Sequence, residues 1–334
     1  MSIEAIALTK TFRTPLYEKG FRGALHQMLF PSYEEHTAVQ QISFSIPKGE
    51  TVACIGPTGA GKSTLVKMLT GILQPTAGKV LVEGIDPLKQ RMENNRQIGL
   101  VFGQRTQLWQ GIPLEDTFQL LRDTYEIPAG RYRENLAYYV KTFDLQEVLH
   151  FPPEKLSLGQ RVRADFIAAL LHEPKVLYLD EPMIGLDLAS RETIRAQLKR
   201  IHAEREMTIF LTSHDLGDVE EITSRVIVMD QGKRISDVSR KILEDMFARD
   251  YGVRITMKHA KPDLLEDLRM DNRILSRMED PHTLIVMFDH TQMNMYDVIK
   301  RVSAQQDIYD VSEIKPDMRL VLQRLYRSEL IIRS

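Results

Sequence analysis

Residues 56–64 read GPTGAGKST: three glycines, a lysine and two adjacent hydroxyls within nine positions. Gly56, Gly59 and Gly61 let the backbone curl so that several N–H groups point inward, the arrangement that holds phosphate oxygens. The backbone of Pro57, Thr58 and Ala60 completes that curl. An apolar stretch precedes the loop and a helical pattern follows it, so a helix N-terminus adds partial positive charge at the same place. Lys62 supplies a full charge for the β- and γ-phosphates of a nucleotide, Ser63 a hydroxyl for Mg²⁺, and Thr64 a hydroxyl within reach of the α-phosphate. A glycine-rich turn without chemistry is the bland alternative, and the strand–loop–helix context weighs against it.

A second segment, VLYLDEP at 176–182, puts two carboxylates directly after four apolar residues. A strand buried by that run ends where ligands bind in such sheets. Asp180 is placed to hold Mg²⁺ through its water shell, and Glu181 to polarise an attacking water as general base.

With a P-loop and paired acids in this order, the chain resembles an ABC transporter ATPase. LSLGQ at 156–160 is similar to the family's signature motif, LSGGQ; Ser157 and Gly159 match its γ-phosphate contacts, Gln160 closes it, and Leu158 departs from the usual Gly. The resemblance implies that His214, in TSHD, contacts the γ-phosphate and that Asp187, in IGLD, lies at a dimer interface. It also implies that Gln104, ending FGQ, senses Mg²⁺ and touches a membrane subunit, with Gln107 as a competitor for that role. Phe12, ending LTKTF, stands where the family stacks an aromatic on adenine; packing into the core is the other reading. Met183 and Ile184 stand where Thr and Ser are commoner. In this family one subunit's signature completes another's P-loop. A chain with one of each implies a head-to-tail homodimer around two ATP molecules.

These residues require an α/β fold, because apolar strands alternating with helices build a mostly parallel sheet covered on both faces. Strands are expected on either side of Pro47–Gly49, at 98–102, 176–179 and 208–212, with a hairpin over 225–236 turning at Gln231–Gly232. A helix is expected from Lys62 to Leu73 and a helical subdomain over about 105–172. The resulting architecture is a P-loop NTPase core of ABC ATPase type over 1–238. A small α+β domain over 239–334, ferredoxin-like in its element order, follows it. Its expected elements are a helix over 239–248, strands at 251–258 and 283–289, a helix at 292–304, a strand at 307–314 and a closing helix at 317–328. Between 14 and 38 an insert places Phe21, Leu25, Met28 and Leu29 on one helical face, packed on its own domain or touching a membrane partner. Trp109 is open between core packing and a groove for a permease. The closing helix carries Arg319, Arg324, Arg327 and Arg333, read as a solvated face.

Net charge is −2 over 334 residues, so no global basic field argues for nucleic acid. One cysteine, Cys54, excludes an internal disulfide framework and fills the strand core. No stretch approaches the roughly 20 apolar residues of a membrane span, and no signal-peptide pattern opens the chain. The resemblance therefore implies a peripheral subunit on the cytoplasmic face of a bacterial inner membrane, working through transmembrane permeases. The insert, the stretch 102–121 and the C-terminal extension resemble the type-two exporter class, with two different permease chains. An importer motor shares the chemistry. A non-transport ABC ATPase is disfavoured by the single ATPase module and the 95 positions from Lys62 to Ser157. A regulatory module without catalysis is disfavoured by Glu181 and His214.

Overall fold

The computed structural model describes residues 1–15, 33–103, 105–214, 219, 222–242, 250–258, 262–271 and 273–314. Its contacts divide the chain into two compact units, Met1–Arg234 and Ile235–Ser334.

The first unit holds one sheet whole and a second up to its last strand, which starts at the unit boundary. β1 (Ile3–Pro15), β2 (Tyr33–Ile46) and β4 (Ala77–Val82) form an antiparallel sheet in the order β2-β1-β4. The second sheet has the order β5-β6-β7-β3-β8-β9, from β5 (Ile98–Phe102), β6 (Val176–Asp180), β7 (Thr208–Ser213), β3 (Thr51–Ile55), β8 (Arg225–Asp230) and β9 (Lys233–Ser239). Its first five strands pair in parallel. Every residue of β3, β6 and β7 is buried, as continuous apolar runs require when both faces are covered. The β8–β9 turn has left-handed backbone at Gln231 and Gly232, φ 44° and 76°, the geometry that matches strand twist in a two-residue hairpin.

α1 (Lys62–Leu69) lies between the two sheets, touching β1, β2 and β4 on one side and β6 on the other. Leu65, Val66, Met68 and Leu69 are fully buried there, each contributing about 1.5–3 kcal/mol by area burial. The helix ends one turn before the expected Leu73. Thr70 caps it, turning its hydroxyl back to the Val66 carbonyl at 2.9 Å. After α2 (Arg91–Gln97), three helices form the helical part: α3 (Leu114–Thr124), α4 (Ala129–Thr142) and α5 (Leu158–Leu170), with α3 and α4 both packed on α5. α6 (Leu188–Arg205) follows β6.

The region expected as an insert is partly strand. β1 and β2 stay paired out to Pro15 opposite Tyr33, beyond the reach of β4, whose pairing with β1 ends at Thr9. Cross-strand hydrogen bonds satisfy this ribbon's backbone, which local apolar periodicity does not reveal. The expected helical face of Phe21, Leu25, Met28 and Leu29 lies outside the described residues.

The second unit contains β10 (Asp250–Met257), α7 (Pro262–Arg269), β11 (Ile274–Asp280), β12 (Thr283–Asp289), α8 (Met295–Ser303) and β13 (Ile308–Ile314). Its sheet order is β11-β12-β10-β13, all antiparallel. A βαββαβ chain in that order is the ferredoxin-like arrangement. Val253, Ile255, Leu264, Leu284, Val286 and Val298 share one core. α7 and β11 were not among the expected elements: ILSRMED lacks clean alternation and PDLLEDLR is barely two turns. The expected helices over 239–248 and 317–328 lie largely or wholly outside the described residues. Among the described residues no helix is long and apolar enough to cross a membrane.

Candidate nucleotide site

The loop before α1 is built by close backbone contact. Gly61 has φ 97°, and a Cβ there would lie 2.3 Å from the Ala38 carbonyl oxygen, so only glycine lets β2 pass beneath the helix start. Thr58 and Gly59 form the exposed crest. Lys62 turns inward, 4% exposed, with Nζ donating to the carbonyls of Gly56 at 2.8 Å and Pro57 at 3.1 Å. Its ammonium also lies 3.3 Å from Glu181 Oε1. Rotation about its own side-chain bonds can exchange these oxygens for those of a phosphate.

β6 delivers the two acids beside that loop. Ser63 donates to Asp180 Oδ1 at 3.0 Å, and the Thr212 hydroxyl donates to the same atom at 2.7 Å. Glu181 sits in the left-handed region at φ 50°, a conformation costing on the order of 1 kcal/mol for a non-glycine residue. Its backbone N–H is held by Thr212, through the hydroxyl at 3.0 Å and the carbonyl at 3.2 Å. The turn carries the Glu181 carboxylate between Lys62 and His214, whose Nδ1 is 3.1 Å from Oε2. Thr212 was not singled out from sequence; its position in TSHD, near the end of β7 and two before His214, is the signal that could have found it.

Ser157, Gly159, Gln160 and Asp187 gather where α5 and α6 begin. Ser157 caps α5 in a reciprocal pair: Gln160 N donates to Ser157 Oγ at 3.2 Å, and Ser157 N to Gln160 Oε1 at 2.9 Å. Asp187 caps α6 through its side chain alone, without the reciprocal bond. Ser190 donates to it from its backbone at 2.9 Å and its hydroxyl at 2.8 Å, which holds the Asp187 carboxyl below the usual carboxylate range. The two caps meet: a Cβ on Gly159 would lie 3.0 Å from Ser190 Oγ. Among the described residues no hydrogen bond joins this group to the P-loop side chains.

Gln104 lies outside the described residues. Its competitor Gln107 is spent internally, donating to the carbonyls of Asp165 at 3.0 Å and Leu100 at 3.4 Å. Phe12 is not core: it is 38% exposed, with Lys10 Nζ 5.3 Å from its ring centroid. Trp109, 46% exposed, is not core either. Cys54 is fully buried, and burial pushes its thiol up to about 12. Met183 is buried behind the acids. A 340 Å³ cleft lined by Lys48, Arg131, Lys175 and Arg205 opens at the N-terminal ends of β6 and β7, away from all these residues. Glu173 pairs with both arginines and Glu83 with Lys48.

A family model described as "ABC transporter" matches residues 39–184. An energy-coupling factor transporter ATP-binding protein of Clostridium tetani is 34% identical over 219 residues, 61% of this chain and 72% of that one. The chain belongs to the ABC transporter ATP-binding family. A linearmycin resistance ATP-binding protein of Bacillus subtilis is 30% identical over 238 residues, 71% of this chain and 76% of that protein. The solved cbiO1 of Clostridium perfringens, part of an ABC transporter complex, superposes with a TM-score of 0.60 at 26% identity, over 73% of this chain and 90% of that one. This ABC ATPase therefore hydrolyses ATP to drive transport, and subunits of its kind dimerise and associate with transmembrane permeases.

The donors fit the group that ATP brings with it. Ser63 Oγ and Asp180 Oδ1 are hard oxygen ligands side by side, the chemistry Mg²⁺ selects. Among the described residues no cluster of three or more His, Cys, Asp or Glu is placed to hold a metal, so most ligands would be phosphate oxygens and water.

Proposed function

We propose that this chain is the motor of an exporter: two copies, head to tail, close on two ATP molecules beneath two different permease chains. It would sit peripherally on the cytoplasmic face of a bacterial inner membrane. The observation that carries the catalytic part is the carboxylate of Glu181 held between Lys62 and His214. In this reading the P-loop amides and Lys62 bind the β- and γ-phosphates, with Phe12 against the base. Bound Mg²⁺, held by Ser63 and Asp180 with Gln104 beside them, would neutralise developing phosphate charge. Glu181 takes a proton from the attacking water, and His214 orients that carboxylate and reaches the γ-phosphate. Ser157, Gly159, Gln160 and Asp187 serve the nucleotide of the second copy. Loss of the γ-phosphate releases the bridge between copies, so ATP shifts the population closed and hydrolysis resets it.

The test separates binding from chemistry. Glu181→Gln should bind ATP, lose at least about 100-fold in kcat and accumulate a dimer on sizing with Mg-ATP. Lys62→Ala should lose binding and dimer together. A Glu181→Gln chain that stays monomeric at saturating ATP counts against the reading.

Export is supported by the linearmycin resistance relative, whose match reaches 71% of this chain. The energy-coupling factor relative favours a second reading, an importer motor. Capture of the complex from gently solubilised membranes discriminates: two integral chains alone support export, and a co-purifying solute-recognition subunit supports import.

A further inference from the structure

The segment leaving β5 is fastened at both ends. Gly103 N donates to the Asp180 carbonyl at 2.9 Å, and a Cβ on Gly103 would lie 1.8 Å from the Glu181 carbonyl oxygen. Only a few residues later, the Thr106 hydroxyl and the Gln107 backbone N–H both donate to Asp165 Oδ1 at 2.9 Å. The Gln107 side-chain amide adds a bond to the Asp165 carbonyl at 3.0 Å. Asp165 lies on α5, about two turns after the Ser157 cap, and is 4% exposed. Gly103 is thus fastened beside the carboxylate pair, and Thr106 and Gln107 to the helix that presents Ser157.

A carboxylate is a costly way to fill this position. Burial pushes the Asp165 carboxyl up to about 6, against the opposing hydrogen bonds from Gln107 and Thr106. An apolar side chain of similar size would pack here without that desolvation. What the Asp165 side chain adds is one fixed geometry between α5 and the loop, specified by the two hydrogen bonds its carboxylate accepts from Thr106 and Gln107.

We propose that Asp165 is a positioning residue for ATP-driven closure: by fixing α5 to the loop leaving β5, it aims the Ser157 end of α5 at the nucleotide of the second copy. The proposal rests on the homodimer reading above. It predicts that losing the Asp165 acceptor leaves a chain's own nucleotide binding intact and weakens closure.

The full chain carrying Glu181→Gln serves as parent. Binding of a fluorescent ATP analogue is measured at protein concentrations too low for dimer, and dimer is measured by sizing across ATP concentrations. Asp165→Leu should bind the analogue within about twofold of the parent, yet need about 10-fold more ATP for half-maximal dimer, the size of a lost hydrogen bond to a charged group. Asp165→Asn keeps an acceptor oxygen for Thr106 and Gln107 and should return to within about threefold. Thr106→Val removes one donor without touching α5 and should shift dimerisation in the same direction as Leu, by less. Equal loss of binding and dimer in the Leu and Val variants would overturn the proposal as mere folding. So would dimerisation of the Leu variant indistinguishable from the parent. A parent that never dimerises would sink the homodimer reading, and this inference with it.

Discussion

Thr212 holds both acids through one hydroxyl: it donates to Asp180 Oδ1 and accepts from the Glu181 backbone N–H. Thr212→Val keeps the shape and β-propensity of the strand and removes both bonds. It should lower kcat about 10- to 100-fold and cost about 1–3 kcal/mol in urea unfolding, because buried partners lose their hydrogen bonds. Asp165 makes a pH prediction with a definite sign. Its folded carboxyl titrates near 6, above the ordinary carboxylate value, because burial disfavours the charge. The folded chain therefore holds a proton that the unfolded chain releases, so this group's stabilisation is full below about pH 4 and lost as pH rises through about 6. Asp165→Asn has no such loss. Between pH 4 and pH 7 its unfolding free energy should gain on wild type by up to about 3 kcal/mol, two units at 1.36 kcal/mol each. A flat difference across that range would show that the carboxyl is not titrating there.

The elements matter as much as the side chains they carry. α1 is clamped between an antiparallel and a parallel sheet, so its N-terminus and the P-loop have little freedom to drift. Where β5 ends, Gly103 passes so close to the Glu181 carbonyl that no side chain fits. Gly103→Ala should push the β5 exit and the Glu181 turn apart. The expected result is a fall in kcat of at least about 10-fold, with ATP binding held by the P-loop and changed little. Steady-state kinetics beside direct nucleotide binding would show whether the effect stays in kcat. A KM effect of equal size would mean that the P-loop itself had moved.

For the whole molecule, the decisive feature is that each copy has one P-loop and one Ser157 cap. In the head-to-tail homodimer proposed above, the P-loop of one copy would meet the cap of its mate, and the two-fold axis would repeat this at the second site. Two inactive variants should therefore rescue each other. Lys62→Ala mixed one to one with Ser157→Phe yields mixed dimers with one complete site, and an ATPase rate about a quarter of wild type is expected. Phosphate release measured for the mixture against each variant alone checks this; a mixture no better than its parts would put the two halves of the site on the same chain.

The sequence by itself determined the local chemistry and most elements: the P-loop after β3, the acids at the end of β6, His214 after β7, the hairpin at Gln231–Gly232 and, in the second unit, β10, β12, α8 and β13 but not α7 or β11. Those features depend on short windows, where glycine positions, apolar runs and turn residues act on their own neighbours. Only the tertiary structure decided that Thr212 joins the two acids, that Asp165 holds the segment after β5, and that Glu181 lies between Lys62 and His214. Their partners are separated by 31 to 119 positions, and no local window records a distance between strands. The β1–β2 ribbon was hidden for the same reason: its strands pair residues 18 positions apart at Pro15 and Tyr33 and 43 apart at Ile3 and Ile46. Spacing tells a helix face from a strand face, but side chains from distant segments meet only when the parallel sheet sets its strand order.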